Sequence, residues 1–302
     1  MKKLNPLELR GTIQISIASM GFGFLGIFAK IAYANNLSVG ELLSYRFILA
    51  ALLIWIFLLL FRLEWIRVSK RQLVTSALLG IFGYGLFSTL YFQAIEGLSI
   101  TLAALLLYTY PFWVSIFSHF FTHEKISKEE GLCLLGAFMG LLLLLWGHME
   151  VRNFWAIFAG LGSAISYAIY VLVSGKVQKN VRPISSTVYV ISFAALALVL
   201  FHRPPLHEVT HLTEPQGWAV LGLAIVCTII PLTLELAALQ KLKSATVALL
   251  MMIEPVTAAI LGMVIFHERL TLQQTIGALI VLGCLVINTL MVNKNSNGFS
   301  SK

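Results

Sequence analysis

An all-α integral membrane fold, with ten transmembrane helices in two inverted five-helix repeats and both termini cytoplasmic, follows from three features of the sequence. The chain is 59% hydrophobic and 11% charged, with a mean hydropathy of +0.89. Soluble domains carry about 25% charged residues, so this chain has too little charge to dress a water-facing surface and needs lipid around it. Apolar runs of about 20 residues recur along the whole length, the span of a bilayer core at about 1.5 Å per residue, and no polar stretch between them is long enough for a soluble domain. Lastly, the chain repeats itself. YPFWVSIFSHFFTHEK at 110–125 returns 144 residues later as EPVTAAILGMVIFHER at 254–269. Pro111 matches Pro255, Ile116 matches Ile260, and His123-Glu124-Lys125 matches His267-Glu268-Arg269. A second match joins GAFMG at 136–140 to GALIVLG at 277–283. Repetition of this kind sets the frame for everything else, and it divides the chain into units 1–148 and 149–302.

The expected spans are 12–33, 41–61, 73–94, 99–119, 131–148, 154–175, 184–201, 217–239, 245–265 and 273–292, the fifth and seventh being the shortest. The first begins near Gly11 and is longer than the apolar part of a signal peptide, with no small-residue cleavage site after it, so it is expected to stay in place. Cytoplasmic loops are rich in Lys and Arg. With the N-terminus inside, the cytoplasmic segments hold sixteen of the 21 basic residues and the outer loops only Arg152, Arg203 and Arg269; Lys30 and Arg46 lie within spans. Five spans per unit is an odd number, so the units run in opposite directions. Inverted repeats around a midplane site are a construction of secondary transporters, because two similar bundles can exchange inward- and outward-facing shapes.

The net charge of +8 is not a nucleic-acid signature, since the basic residues sit in short loops between apolar runs. All 13 acids are Glu. Cys133, Cys227 and Cys284 fall in apolar runs and read as small buried hydrophobes. No cofactor or metal is expected, and the chain carries no ATP-binding motif.

Glu254 lies about nine residues into span nine, near the midplane, where an ionised carboxyl costs about 2.5–3.5 kcal/mol. Pro255 follows it and removes a helix hydrogen bond. This acid is a candidate for a substrate amine or a coupling proton; the alternative is a structural carboxyl bonded to a neighbouring helix. Its counterpart in the first unit is Tyr110-Pro111. Tyr84, Tyr108, Tyr110, Tyr167 and Tyr170 share that depth and are candidate cavity walls, each offering an apolar ring and a hydroxyl, though helix packing accounts equally well for any one of them. Glu235, with Pro231 one turn earlier, is a vestibule or coupling acid, or a partner of Lys241 or Lys243. Lys30 and Arg46 form an outer gate, or snorkel, or pair with Glu41 or Glu96. Glu124 and Glu268 are expected to secure helix ends. Pro111, Pro231 and Pro255 are the expected helix breakers.

His207-Glu208-Val209-Thr210-His211 spells HExxH, the helical zinc-protease motif. It falls in an outer loop between Pro204-Pro205 and Pro215, which leaves about two turns of helix and no evident third ligand, so the chain is not expected to be an enzyme. Gly136-x-x-x-Gly140, Gly80-x-x-Gly83 and Gly160-x-x-x-Ala164 are expected to bring helices close. Gly21, Gly23 and Gly26, facing Ser163 and Ser166 in the counterpart span six, are expected to let span one bend.

Lys30 and Arg46, Pro111 with Glu124, and Glu254-Pro255 with Glu268 and GALIVLG together resemble the drug/metabolite transporter superfamily, in particular its EamA-type ten-helix members, over nearly the whole chain. The resemblance implies a cavity among helices one, three, four, six, eight and nine, and export of amino acids or related small metabolites without ATP. This chain departs from a symmetric pattern in having Tyr189 or Val190 where Arg46 would repeat, and in the long His-rich loop 202–215. The expected function is alternating-access export across a bacterial inner membrane. Import or exchange of a nucleotide-like or sugar metabolite, and a non-transporting scaffold, are the alternatives. The expected partners are a small-molecule substrate, protons or another coupling ion, and the lipid bilayer, with a homodimer left open and nucleic acid excluded.

Overall fold

The computed structural model describes residues 6–122, 127–147, 150–177 and 181–299. Lys2, Lys3, Lys179, Lys302 and the His123-Glu124-Lys125 edge, which the sequence reading used, lie outside the described residues. The structure is all-helical. Among the described residues nine helices are long and apolar enough to cross a bilayer: α1 (Pro6–Ala34), α2 (Val39–Phe61), α3 (Lys70–Gly97), α4 (Ile100–Phe121), α6 (Trp155–Val177), α7 (Pro183–His202), α8 (Glu214–Leu239), α9 (Ser244–Phe266) and α10 (Leu272–Met291 for its apolar part). The tenth, α5 (Lys128–Leu144), has 17 residues, the short end of the range that spans a bilayer. Each helix overlaps one of the ten expected spans. Their ends are set by local chemistry. Ser38, Ser69 and Ser127 each accept from the backbone N–H three residues on, while Glu41, Gln72 and Glu130 reach back to the cap.

The two halves run in register. Helices α2 and α7 begin at 39 and 183, α3 and α8 at 70 and 214, α4 and α9 at 100 and 244, α5 and α10 at 128 and 272. Every pair is 144 residues apart, so the two halves align without a gap over these four helices. The irregularities repeat as well. Wide turns interrupt α3 over Leu79–Gly85 and α8 over Ile225–Ile229, and α4 and α9 each break at midlength, at 108–109 and 251–252. Packing follows the same rule. Helix α3 packs on α6 as α8 packs on α1, α4 on α6 as α9 on α1, and α3 on α7 as α8 on α2.

Helices α5 and α10 cross each other, and small residues make the crossing tight. A Cβ on Gly140 would stand 2.8 Å from the Gly277 carbonyl and 3.0 Å from Ile280, and one on Gly136 would stand 2.7 Å from the Cys284 sulfur. The Gly140–Ile280 and Gly136–Cys284 contacts exchange under the 144-residue shift, so this crossing is itself two-fold symmetric. Lipid supplies no hydrophobic drive between helices, so close backbone approach is what holds such a pair. Gly80 against Val190, Gly83 against Tyr170 and Gly160 against Leu106 do the same elsewhere. Span one bends where its glycines lie, Phe24 separating two helical pieces, whereas α6 runs unbroken past Ser163 and Ser166. Ser166 instead donates to the Phe82 carbonyl of the irregular turn in α3.

Gly140→Ala is expected to lower stability by about 1–3 kcal/mol through overpacking, while Gly283→Ala, with open space around its Cβ position, should be neutral or gain up to about 1 kcal/mol of helix propensity. Thermal unfolding in detergent compares the two; equal melting temperatures would mean the crossing is not tight.

Candidate functional site

The site begins with two interruptions in the backbone ladder. Pro111 and Pro255 fall in the first turn of the second half of α4 and of α9, where a missing N–H is tolerated. Because Pro255 has no N–H, the Met251 carbonyl loses its helical partner. It accepts instead from the Glu254 N–H at 3.0 Å and from the Ser19 hydroxyl of α1 at 2.8 Å. The Met252 N–H turns to Leu249, which frees the Ala248 carbonyl to accept from the Tyr110 hydroxyl at 3.1 Å. Backbone groups cannot stay unpaired in the hydrocarbon region, so these side chains are what make the breaks affordable. Pro231 plays the corresponding part just after the wide turn of α8.

Around the breaks lies a cavity of about 120 Å³. Phe22 and Leu25 of α1, Leu43 and Arg46 of α2, Tyr84, Phe87, Ser88, Tyr91 and Phe92 of α3, Leu107, Tyr108 and Tyr110 of α4, Tyr167 of α6, and Met251 and Glu254 of α9 line it. Helix α2 contributes and α8 does not, which differs from the helix set that the family resemblance implies. The contributing parts of α2 and α3 are their outer halves. Toward the cytoplasm Ile15, Leu232, Leu236, Val247 and Ala248 are fully buried. The cavity therefore lies from mid-depth toward the outer side of the molecule.

The structure brings Glu254, Tyr84, Tyr108, Tyr110 and Tyr167 together at this cavity. Tyr108 and Glu254 share a wall of the cavity, and the rings of Tyr110 and Tyr167 meet edge to face at 4.8 Å. Tyr170 stands one layer below, stacked on Tyr167 with centroids 5.8 Å apart, and does not reach the cavity. Arg46, read from the sequence as an outer gate, is 5% exposed and lines the cavity, acting electrostatically on Glu254; its Nε has no hydrogen-bond partner. Lys30 does not pair with Glu41, Glu96 or Arg46. Its ammonium bridges to Glu268 at 3.0 Å, both side chains 56% exposed, and lies 3.8 Å over the Phe266 ring. Glu235 sits behind Tyr167, wholly buried, and accepts from the Tyr167 hydroxyl at 3.2 Å. Lys241 is not its partner: that ammonium donates to the Ala237 carbonyl at 2.6 Å, and partial burial, with Arg10 nearby, holds its pKa below the usual lysine range.

Phe87, Ser88 and Tyr91 were not singled out by the sequence reading. Tyr84, Ser88 and Tyr91 follow helical spacing on one face of α3, and Tyr91 is the 144-residue counterpart of Glu235, a signal the repeat already carried. The HExxH stretch forms a narrow 3-10 helix over Leu206–His211. At three residues per turn, positions four apart point about a third of a turn away from each other, so His207 and His211 do not share a face. Among the described residues no three His, Cys or Glu side chains gather as a metal site.

Ten membrane helices in opposed halves around a small charged and aromatic cavity define a multi-pass membrane transporter. The model of the EamA-like transporter family matches the chain twice, over residues 9–146 and 154–289, and the chain belongs to that family. An uncharacterized transporter of Bacillus subtilis, YcbK, is 26% identical over 88% of both chains. The threonine/homoserine exporter RhtA of Escherichia coli K12 is 26% identical over 76% of both. A protein known from its crystal structure shares the fold with a TM-score of 0.77 over 94% of this chain and 98% of its own, at 17% identity.

Because the Lys30–Glu268 pair is solvent-exposed, Lys30→Met is expected to cost less than about 1 kcal/mol. Melting curves at low and high salt test this; a larger loss that salt abolishes would make the bridge a structural latch.

Proposed function

We propose that the protein exports a small zwitterionic amino acid by alternating access of its two halves, 1–148 and 149–302, in the plasma membrane of a bacterial cell. The observation that carries this reading is that Arg46 and Glu254 face one small, otherwise aromatic and apolar cavity. A guanidinium receives a carboxylate in bidentate fashion, and a buried carboxylate receives an ammonium. An amino acid presents both charges a few ångströms apart and would neutralise both walls at once. The cavity volume is about four times the roughly 30 Å³ that one water occupies in the liquid, and well under the ~300–1,000 Å³ of drug-sized sites, which favours a small substrate over a nucleotide. The aromatic walls bury the substrate's carbon skeleton without competing for its charges. The named activity of the relative RhtA, threonine/homoserine export, supports the same class.

Counterflow of labelled threonine into proteoliposomes tests the reading. Wild type is expected to show saturable counterflow. Arg46→Ala and Glu254→Gln should each weaken it about ten- to a hundredfold, the loss of one charge-assisted interaction of roughly 1.5–3 kcal/mol. Saturable counterflow untouched by either change would remove both groups from substrate binding.

A further inference from the structure

Glu235 is the second acid buried among the membrane helices, and the cavity does not use it. Its side chain is 0% exposed. One carboxyl oxygen accepts from the Tyr167 hydroxyl; the other, Oε2, has no partner. The groups that face it carry no positive charge. Tyr167 on α6 and Glu254 on α9 are the titratable groups that act on it, and it acts in turn on Tyr170 of α6, Tyr110 of α4 and Tyr84 of α3. Helix α7 reaches this turn of α8 through Thr187 on Thr233. The first half of α9, Ser244–Leu250, has no titratable side chain. Helix α1 passes with Ile15 and Ser19, and its Arg10 lies lower, beside Lys241. No ion pair to Glu235 is formed among the described residues. A carboxylate in such surroundings is held far more easily as the neutral acid.

The repeat says what becomes of this acid when the molecule turns over. Its counterpart, 144 residues earlier, is Tyr91, which lines the outward cavity. In an inverted repeat the two halves exchange roles between the outward and inward shapes. The position that Tyr91 holds on the outer side now is therefore the position that Glu235 takes on the cytoplasmic side in the other state. Glu235 lies four residues from the inner end of α8, about 6 Å by helix rise, so that opening wets it from the cytoplasm. In the present state its link to the cavity is the Tyr167 hydroxyl, since Tyr167 lines the cavity and donates to Glu235.

We propose that Glu235 is a proton-binding site: it takes a proton from the outward cavity through Tyr167 and releases it to the cytoplasm when the inner side opens, coupling export to proton entry. The transfer balances in one step. A proton from cavity water joins the Tyr167 oxygen as that oxygen passes its own proton to Glu235 Oε1, leaving a neutral tyrosine and a neutral acid. The coupling rests on the export reading; the protonation of Glu235 does not.

Infrared difference spectra of the purified protein in lipid, taken between alkaline and acid pH, test the proton site without any substrate. A protonated carboxyl has a carbonyl band separate from that of a carboxylate. Wild type should gain such a band on acidification, Glu235→Gln should lack that gain while Glu254→Gln keeps it, and Tyr167→Phe should move it to the position of a carbonyl that accepts no hydrogen bond. The same pH-dependent band in wild type and Glu235→Gln would overturn the proposal. If Glu235→Gln does not fold, the Tyr167→Phe displacement decides, and an unmoved band there is equally fatal. In proteoliposomes, threonine accumulation driven by a pH gradient should fall to simple equilibration in Glu235→Gln, and accumulation equal to wild type would end the coupling claim. If threonine is not carried at all, the amino-acid reading fails and the infrared result still decides the proton site.

Discussion

Hydrocarbon offers no hydrogen bonds, and this obligation governs how the centre of the molecule is built. A site for a polar solute needs backbone and side chains turned inward at mid-depth, which means breaking helices where breaks are least tolerated. At the cavity the chain does so at 108–109 in α4 and at 251–252 in α9. At the second break the freed carbonyls are taken up by the Ser19 and Tyr110 hydroxyls, contributed by α1 and α4. The same contacts tie the first half of the chain to the second. The cavity beside this break depends on hydroxyls placed opposite orphaned carbonyls.

On this backbone, symmetric to the residue over four helix pairs, the side chains are deliberately unequal. Tyr110 stands opposite Glu254, Tyr91 opposite Glu235 and Arg46 opposite Val190 in the 144-residue register. Large rings of α6 fill the space under the cavity, while the glycines of α1 let α8 and α9 approach. A Cβ on Gly21 would stand 2.8 Å from Pro231, and one on Gly23 2.7 Å from Thr257.

The ten helices and their opposed halves were legible in the sequence because hydropathy and basic loops report directly on lipid and cytoplasm. Glu254 stood out because an acid at mid-depth has few innocent explanations. Arg46 was harder: near a helix end, snorkelling and burial look alike until α3 is seen closing over it. Lys30 chose Glu268, 238 residues away, a pairing that no local spacing foretells. Tyr170 shares helical depth with Tyr167 yet misses the cavity, since depth does not say which way a residue three positions along will face once the neighbours are in place. The wide turns in α3 and α8 left no mark in hydropathy, because they change the hydrogen-bond ladder and not the polarity of the segment.

The gapless register of the two halves has a bearing on directionality. A backbone that reads the same from either side of the membrane has no built-in sense, much as a palindrome has no preferred end. What distinguishes one face from the other must then be spelled by side chains, and at the cavity by the unlike pairs Arg46 with Val190, Tyr91 with Glu235 and Tyr110 with Glu254. On the export reading, the polarity of transport is set by side chains and not by the course of the backbone.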